Sequence, residues 1–235
     1  MDGDIKLLNK IKDGYSKEKK QSDKIVSLWL FYVLRPLSFL LTSIFLWLNV
    51  SANFATLIGF IVGFLSLIAS SAGFLLIGPL LYNLFHILDC VDGNIARVRE
   101  PSKKGEYYDA VSGDFINYFF IPSLAYGIQF EKGLLFDNAF LNQHFFHISL
   151  ISSIFFILTT LASQRKKIIF GNKGILRLNN KKKISPYEYV FRNMFGVYTN
   201  AIFAIFLTLT GFLEILVLFN CIIMPLLWVA FVLRN

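Results

Sequence analysis

Residues 51–71 read SANFATLIGFIVGFLSLIASS, with no charged side chain anywhere in the run. An α-helix rises 1.5 Å per residue, so about 20 such residues cross the ~30 Å hydrocarbon layer of a bilayer. Outward from this stretch, apolar patterning predicts further helices over about 74–99, 106–130, 143–163, 193–210 and 212–233, with Gly211 breaking the last pair. Lipid cannot satisfy backbone polar groups, so spanning elements of this kind are helical. Composition agrees: 55% of the 235 residues are hydrophobic, 26 are Phe and only 16% are charged, against ~25% charged in an ordinary soluble domain.

Charge sets the expected topology. Arg165, Lys166, Lys167, Lys173, Arg177, Lys181, Lys182, Lys183 and Arg192 crowd 164–192, and Arg97, Arg99, Lys103 and Lys104 lie two helices earlier. Basic loops stay on the cytoplasmic side, and two spans between them put both there. The first 24 residues hold seven lysines and five acids and read as a solvated or surface-lying head, also cytoplasmic. Residues 25–48 are apolar, but Arg35 at mid-segment costs ~2.5–3.5 kcal/mol in a spanning helix and Pro36 kinks it. The expectation is therefore an all-α integral membrane protein of the cell membrane. It has a polar cytoplasmic head at 1–24, an interfacial amphipathic helix at 25–48, and six transmembrane helices within 49–235. Both termini are cytoplasmic.

Several function classes drop out. The net charge of +8 sits in loops between apolar runs, where it suits anionic membrane lipids better than nucleic acid. Cys90 and Cys221 lie in separate apolar segments and make neither a disulfide framework nor a zinc set. His86, His144 and His147 have no convergent partners in sequence and receive no role.

The chemistry-bearing stretch is His86-Ile-Leu-Asp89-Cys-Val-Asp92-Gly93-Asn-Ile-Ala96-Arg97, followed by Ser102, Gly105, Asp109, Gly113 and Asp114. Asp89 and Asp92 are three apart, which sets both carboxylates on one helix face. Gly93 and Ala96 leave that face almost bare. Carboxylates at a membrane margin are costly unless paired or metal-bound, and oxygen ligands from two helices suit Mg²⁺ or Mn²⁺. Ion pairs from Asp89 or Asp92 to Arg97 or Arg99, anchoring helix ends, are the plainer alternative.

The spacing D-x-x-D-G-x-x-A-R, then seven residues, then G-x-x-x-D resembles the CDP-alcohol phosphotransferase family. The resemblance implies that Asp89, Asp92 and Asp109 ligate Mg²⁺ (or Mn²⁺), that Gly93 and Ala96 let a nucleotide approach, and that Arg97 meets the donor diphosphate. It extends to Ser102 and Gly105, and to Asn53 and Thr56 at the start of the first span, where helix capping is the alternative. The family's last aspartate falls on Gly113. Asp114, seventeen positions beyond Arg97, is the expected substitute as base and further metal ligand, provided that a one-residue π-bulge turns it back to the site. The implied function is metal-dependent transfer of a phosphate-linked group, with release of CMP, from a CDP-linked donor such as CDP-diacylglycerol to an alcohol acceptor in phospholipid synthesis. The implied partners are membrane lipids and a second copy in a homodimer. Headgroup transfer to a lipid alcohol, a membrane ion-binding or transport protein, and a member that binds nucleotide without turnover are the competing readings.

Overall fold

The computed structural model describes residues 14–99, 101–131, 139–170 and 196–233. Helix α1 (Lys17–Val26) is capped by Ser16, whose hydroxyl accepts from the Lys19 N–H. The chain turns extended at Ser27, makes one π-helical turn over Leu30–Leu34, and runs straight into α2 (Arg35–Trp47). The widened turn admits Pro36, which has no N–H to give a regular helix. Segment 25–48 is thus not the single helix expected from its sequence: α1 ends two residues inside it, and the rest is a separate helical run.

Then follow α3 (Ala52–Ser71), α4 (Ile77–Arg99), α5 (Lys103–Glu131), α6 (Ala139–Phe170), α7 (Val197–Thr210) and α8 (Leu213–Leu233). These match the six predicted stretches to within a few residues, except that α6 runs about one turn longer at its start and two turns longer at its end. Gly211 closes α7 in the left-handed region at φ 80°, where glycine carries no steric penalty. Most of the basic stretch 164–192, and the start of the predicted helix 193–210, lie outside the described residues.

The packed centre is formed by α3 against α4 and α5, α6 against α5 and α8, and α7 against α4 and α8. Tyr82 of α4 stacks on Phe120 of α5, with ring centroids 3.6 Å apart, among Ile116, Leu124, Phe145 and Val217. Gly63 lets α3 approach Phe85 and Ile116, and Gly127 lets α5 reach the Ser70 carbonyl, the small-residue contact typical of helices in lipid. The outer faces are apolar, for example Phe54, Leu57, Ile61, Phe64 and Ile68 along α3. Among the described residues, four helices are long and apolar enough to cross a membrane: Leu30–Trp47, Ala52–Ser71, Ala139–Lys166 and Leu213–Leu233. The α4 and α5 helices carry the charged residues of the candidate site, among them Asp89, Asp92, Arg97 and Asp109.

Arg35 is where local and tertiary readings part. It is 5% exposed, and its Nε donates to Asp23 Oδ2 at 2.7 Å, with Asp23 only 1% exposed. The penalty invoked against burying Arg35 presumed an unpaired charge; the structure pairs it. The head beyond residue 14 is likewise docked, with Tyr15 buried and its hydroxyl donating to Asp23. Burial first, and the Asp23 carboxylate second, push that phenol above its ordinary range.

Candidate active site

Ser51 caps α3 by accepting from the Phe54 N–H, so Asn53 and Thr56 are not its caps. Thr56 Oγ1 lies 2.6 Å from Asp92 Oδ2, near enough to donate to it across the α3–α4 interface. On α5 the cap is Ser102, whose Oγ accepts from the Gly105 N–H at 3.0 Å. A Cβ built on Gly105 would stand 2.6 Å from Asn53 Oδ1, so the glycine lets the Asn53 side chain sit against the start of α5. At Gly93 the nearest atom to such a Cβ is the Arg97 guanidinium at 3.5 Å; the packing of the chain tolerates a methyl there, and any need for glycine comes from a ligand.

These helix ends enclose a cavity of about 380 Å³, within the range of small-molecule sites. Asn53, Thr56, Gly93, Ala96, Arg97, Ser102 and Gly105, the residues expected to bind the donor, all line it together with Asp92 and Asp109. Ser51, Ile95, Arg99, Pro101 and Glu106 also line it. Of these, Glu106 could have been found from sequence, since it precedes Asp109 by three positions on one helix face.

Asp89 opens instead onto a second cavity of about 200 Å³, lined also by Lys19, Ser22, Asp23, Val26, Leu30, Arg35, Gly93, Arg97, Asp109 and Tyr198. Gly93, Arg97 and Asp109 line both cavities and form the wall between them.

Asp89 and Asp92 on α4 both lie within electrostatic reach of Asp109 on α5. Neither Asp89 nor Asp92 makes the anchoring ion pair considered above. The ion pairs recorded among the described residues run to Asp23, while Arg99 donates to the Asn49 and Val50 carbonyls and the Asn49 side chain. Among the described residues no three His, Cys, Asp or Glu side chains stand in ligating arrangement. The donor set nonetheless fits a hard divalent cation: it is all oxygen, partly buried, and among the described residues no cation is salt-bridged to it.

Asp114 does not join this group. The α5 helix is regular from Lys103 to Glu131, so the bulge needed to turn Asp114 inward is absent. The five-residue step from Asp109 points it elsewhere. Its carboxylate bonds to Tyr118, and it lines neither cavity. At Gly113 a Cβ would meet nothing within 4 Å. His86 is buried among the Tyr82, Phe85 and Tyr198 rings, and His144 and His147 lie on α6 with ring centroids 6.1 Å apart; among the described residues no carboxylate or thiolate joins them as a third ligand.

No protein-family profile matches the chain. A stretch of 78 residues, 33% of this chain, is 43% identical to a curated protein of Archaeoglobus fulgidus named bifunctional IPC transferase and DIPP synthase. The match spans 16% of that protein's length, so the likeness is to one segment of a longer protein.

Proposed function

We propose that this chain is a multi-pass membrane transferase that moves a phosphate-linked group from a CDP-activated donor to a small polar alcohol, releasing CMP. The observation that carries the reading is the gathering of the motif residues: Asn53, Thr56, Asp92, Gly93, Ala96, Arg97, Ser102, Gly105 and Asp109 line one cavity. The likeness to a segment of a named transferase and synthase supports the same reaction class.

The donor diphosphate belongs in the larger cavity, where Arg97 offers a planar fork of charge-assisted donors and the N-terminus of α5 offers backbone N–H groups. The acceptor belongs in the smaller one. A space of about 200 Å³ equals some six or seven liquid waters at ~30 Å³ each. With Lys19, Ser22, Asp23 and Arg35 in its walls, it suits a polyol or amino alcohol and not a lipid alcohol. This favours CDP-diacylglycerol as donor over a CDP-headgroup.

Mg²⁺ or Mn²⁺ held by Asp89, Asp92 and Asp109 would supply charge neutralisation at the pyrophosphate. The acceptor oxygen attacks the phosphorus remote from cytidine, and the bond from that phosphorus to the CMP oxygen breaks with its electron pair going to CMP. A phosphate leaving group needs no general acid, since its second pKa is about 6. The hydroxyl proton passes to a carboxylate. The active site and both termini face the cytoplasm in this reading, with six spans after the N-terminal helices.

Purified protein in detergent, given CDP-diacylglycerol, Mg²⁺ and in turn glycerol 3-phosphate, serine and inositol phosphate, should release CMP with one of the acceptors. CMP release only from a CDP-headgroup with diacylglycerol would reverse the direction assigned here. CDP binding with no turnover on any pair would favour a nucleotide-binding role, which the vacant position at Gly113 would explain.

A further inference from the structure

The motif leaves open the residue after its glycine, yet Asn94 is 2% exposed and makes four polar contacts. Its Oδ1 accepts from Arg97 Nη2 at 2.6 Å and from Arg35 Nη1 at 3.4 Å. Its Nδ2 donates to Ser38 Oγ at 3.1 Å and Thr42 Oγ1 at 3.0 Å. The orientation of the amide is set by what those hydroxyls have left. Ser38 gives its hydrogen to the Arg35 carbonyl and Thr42 gives its hydrogen to the Ser38 carbonyl, so both can only accept from Asn94. The amide therefore turns its NH₂ to α2 and its oxygen to the two arginines.

Arg35, the second arginine on that oxygen, is itself held by Asp23 of α1. Asp23 also takes the Tyr15 hydroxyl and the Lys19 ammonium, at 3.0 Å and 3.1 Å. A chain of contacts thus runs from α1 through Arg35 and Asn94 to Arg97, at the wall shared by both cavities. Arg97 projects from the end of α4 toward solvent, where a free arginine would forfeit up to ~2 kcal/mol of rotamer entropy on ordering.

We propose that Asn94 is a positioning residue that holds Arg97 ready for the donor diphosphate, and that α1, through Asp23 and Arg35, is a structural part of that site. The proposal rests on the nucleotide reading given above.

The test is equilibrium binding of CDP, with Mg²⁺, to the purified full chain, set against binding of cytidine, which lacks the diphosphate. Asn94→Ala should weaken CDP about tenfold and leave cytidine unchanged, and Asn94→Ser serves if the alanine variant does not fold. In an Arg97→Ala background the Asn94 substitution should change CDP affinity by less than twofold, because the side chain it positions is gone. Asp23→Asn should weaken CDP selectively, and Asp23→Glu should restore it in part. If wild-type protein binds CDP and Asn94→Ala binds it equally, or if the losses at Asn94 and Arg97 simply add, the positioning role is overturned while the nucleotide site stands. Equal weakening of CDP and cytidine would mark mere structural damage and also overturn it. Failure of wild-type protein to bind CDP would remove the functional reading, and this inference with it.

Discussion

Two glycines of α5, eight positions apart, should respond oppositely to the same added methyl. At Gly105 the methyl carbon of Gly105→Ala would lie 2.6 Å from Asn53 Oδ1 and 2.9 Å from Ser102 Oγ, where ordinary contact begins near 3.4 Å. Asn53 must therefore give by about 0.8 Å. The atom displaced is the end of a polar side chain at a cavity edge, so the clash is relieved locally at roughly 1 kcal/mol, offset by the ~0.5–1 kcal/mol that alanine gains over glycine in a helix. Stability should barely move. Placement should move, because Asn53 lines the nucleotide cavity beside Thr56, which holds Asp92. Misplacement by ~1 Å can reduce rate by ~10²-fold, so a 10- to 100-fold fall in kcat/KM is expected, equivalent to about 1.4–2.7 kcal/mol. Gly113→Ala is the control: its methyl meets nothing within 4 Å, so it should retain full activity with equal or slightly higher Tm. The assay is CMP release alongside thermal unfolding in the same detergent. A Gly105→Ala enzyme within twofold of wild type, or equal losses in the two variants, would refute the reasoning.

Asp114→Asn should keep at least half of wild-type CMP release, since its carboxylate faces Tyr118; near-complete loss would reinstate Asp114 as the base. Gly113→Asp should fold, given the open space there, and by adding an acid one turn beyond Asp109 should raise turnover; an unchanged rate would show that the chemistry needs no fourth acid. Thr56→Val removes the bond to Asp92, worth ~1.5–3 kcal/mol for a charged acceptor, and should raise the Mg²⁺ concentration needed for half-maximal rate by about tenfold. An unaltered Mg²⁺ titration would count against Asp92 as a ligand. Excess chelator should abolish CMP release and added Mg²⁺ or Mn²⁺ restore it, whereas full activity in chelator would remove the metal from the mechanism.

The sequence by itself determined the helical membrane architecture, most helix limits to within a few residues, and the shared face of Asp89, Asp92, Gly93 and Ala96; the other residues expected at the larger cavity came from the family resemblance. Those properties are local. An uncharged run long enough to span needs no partner to be recognised, and residues three or four apart share a face wherever the helix lies. Asp89, Asp92, Gly93 and Ala96 could therefore be placed on one surface from spacing alone. The same geometry governs Asp114, whose five-residue step from Asp109 returns to the site only through a bulge that α5 does not make. Only the tertiary structure decided that Arg35 is paired, that α1 docks through Asp23, that Asn94 joins Arg35 to Arg97, and that Asp89 opens onto a different cavity from Asp92. Arg35 and Asn94 are 59 positions apart, and no periodicity links them. The energy of a buried charge depends on the partner that meets it, and that partner is known only once the helices have packed.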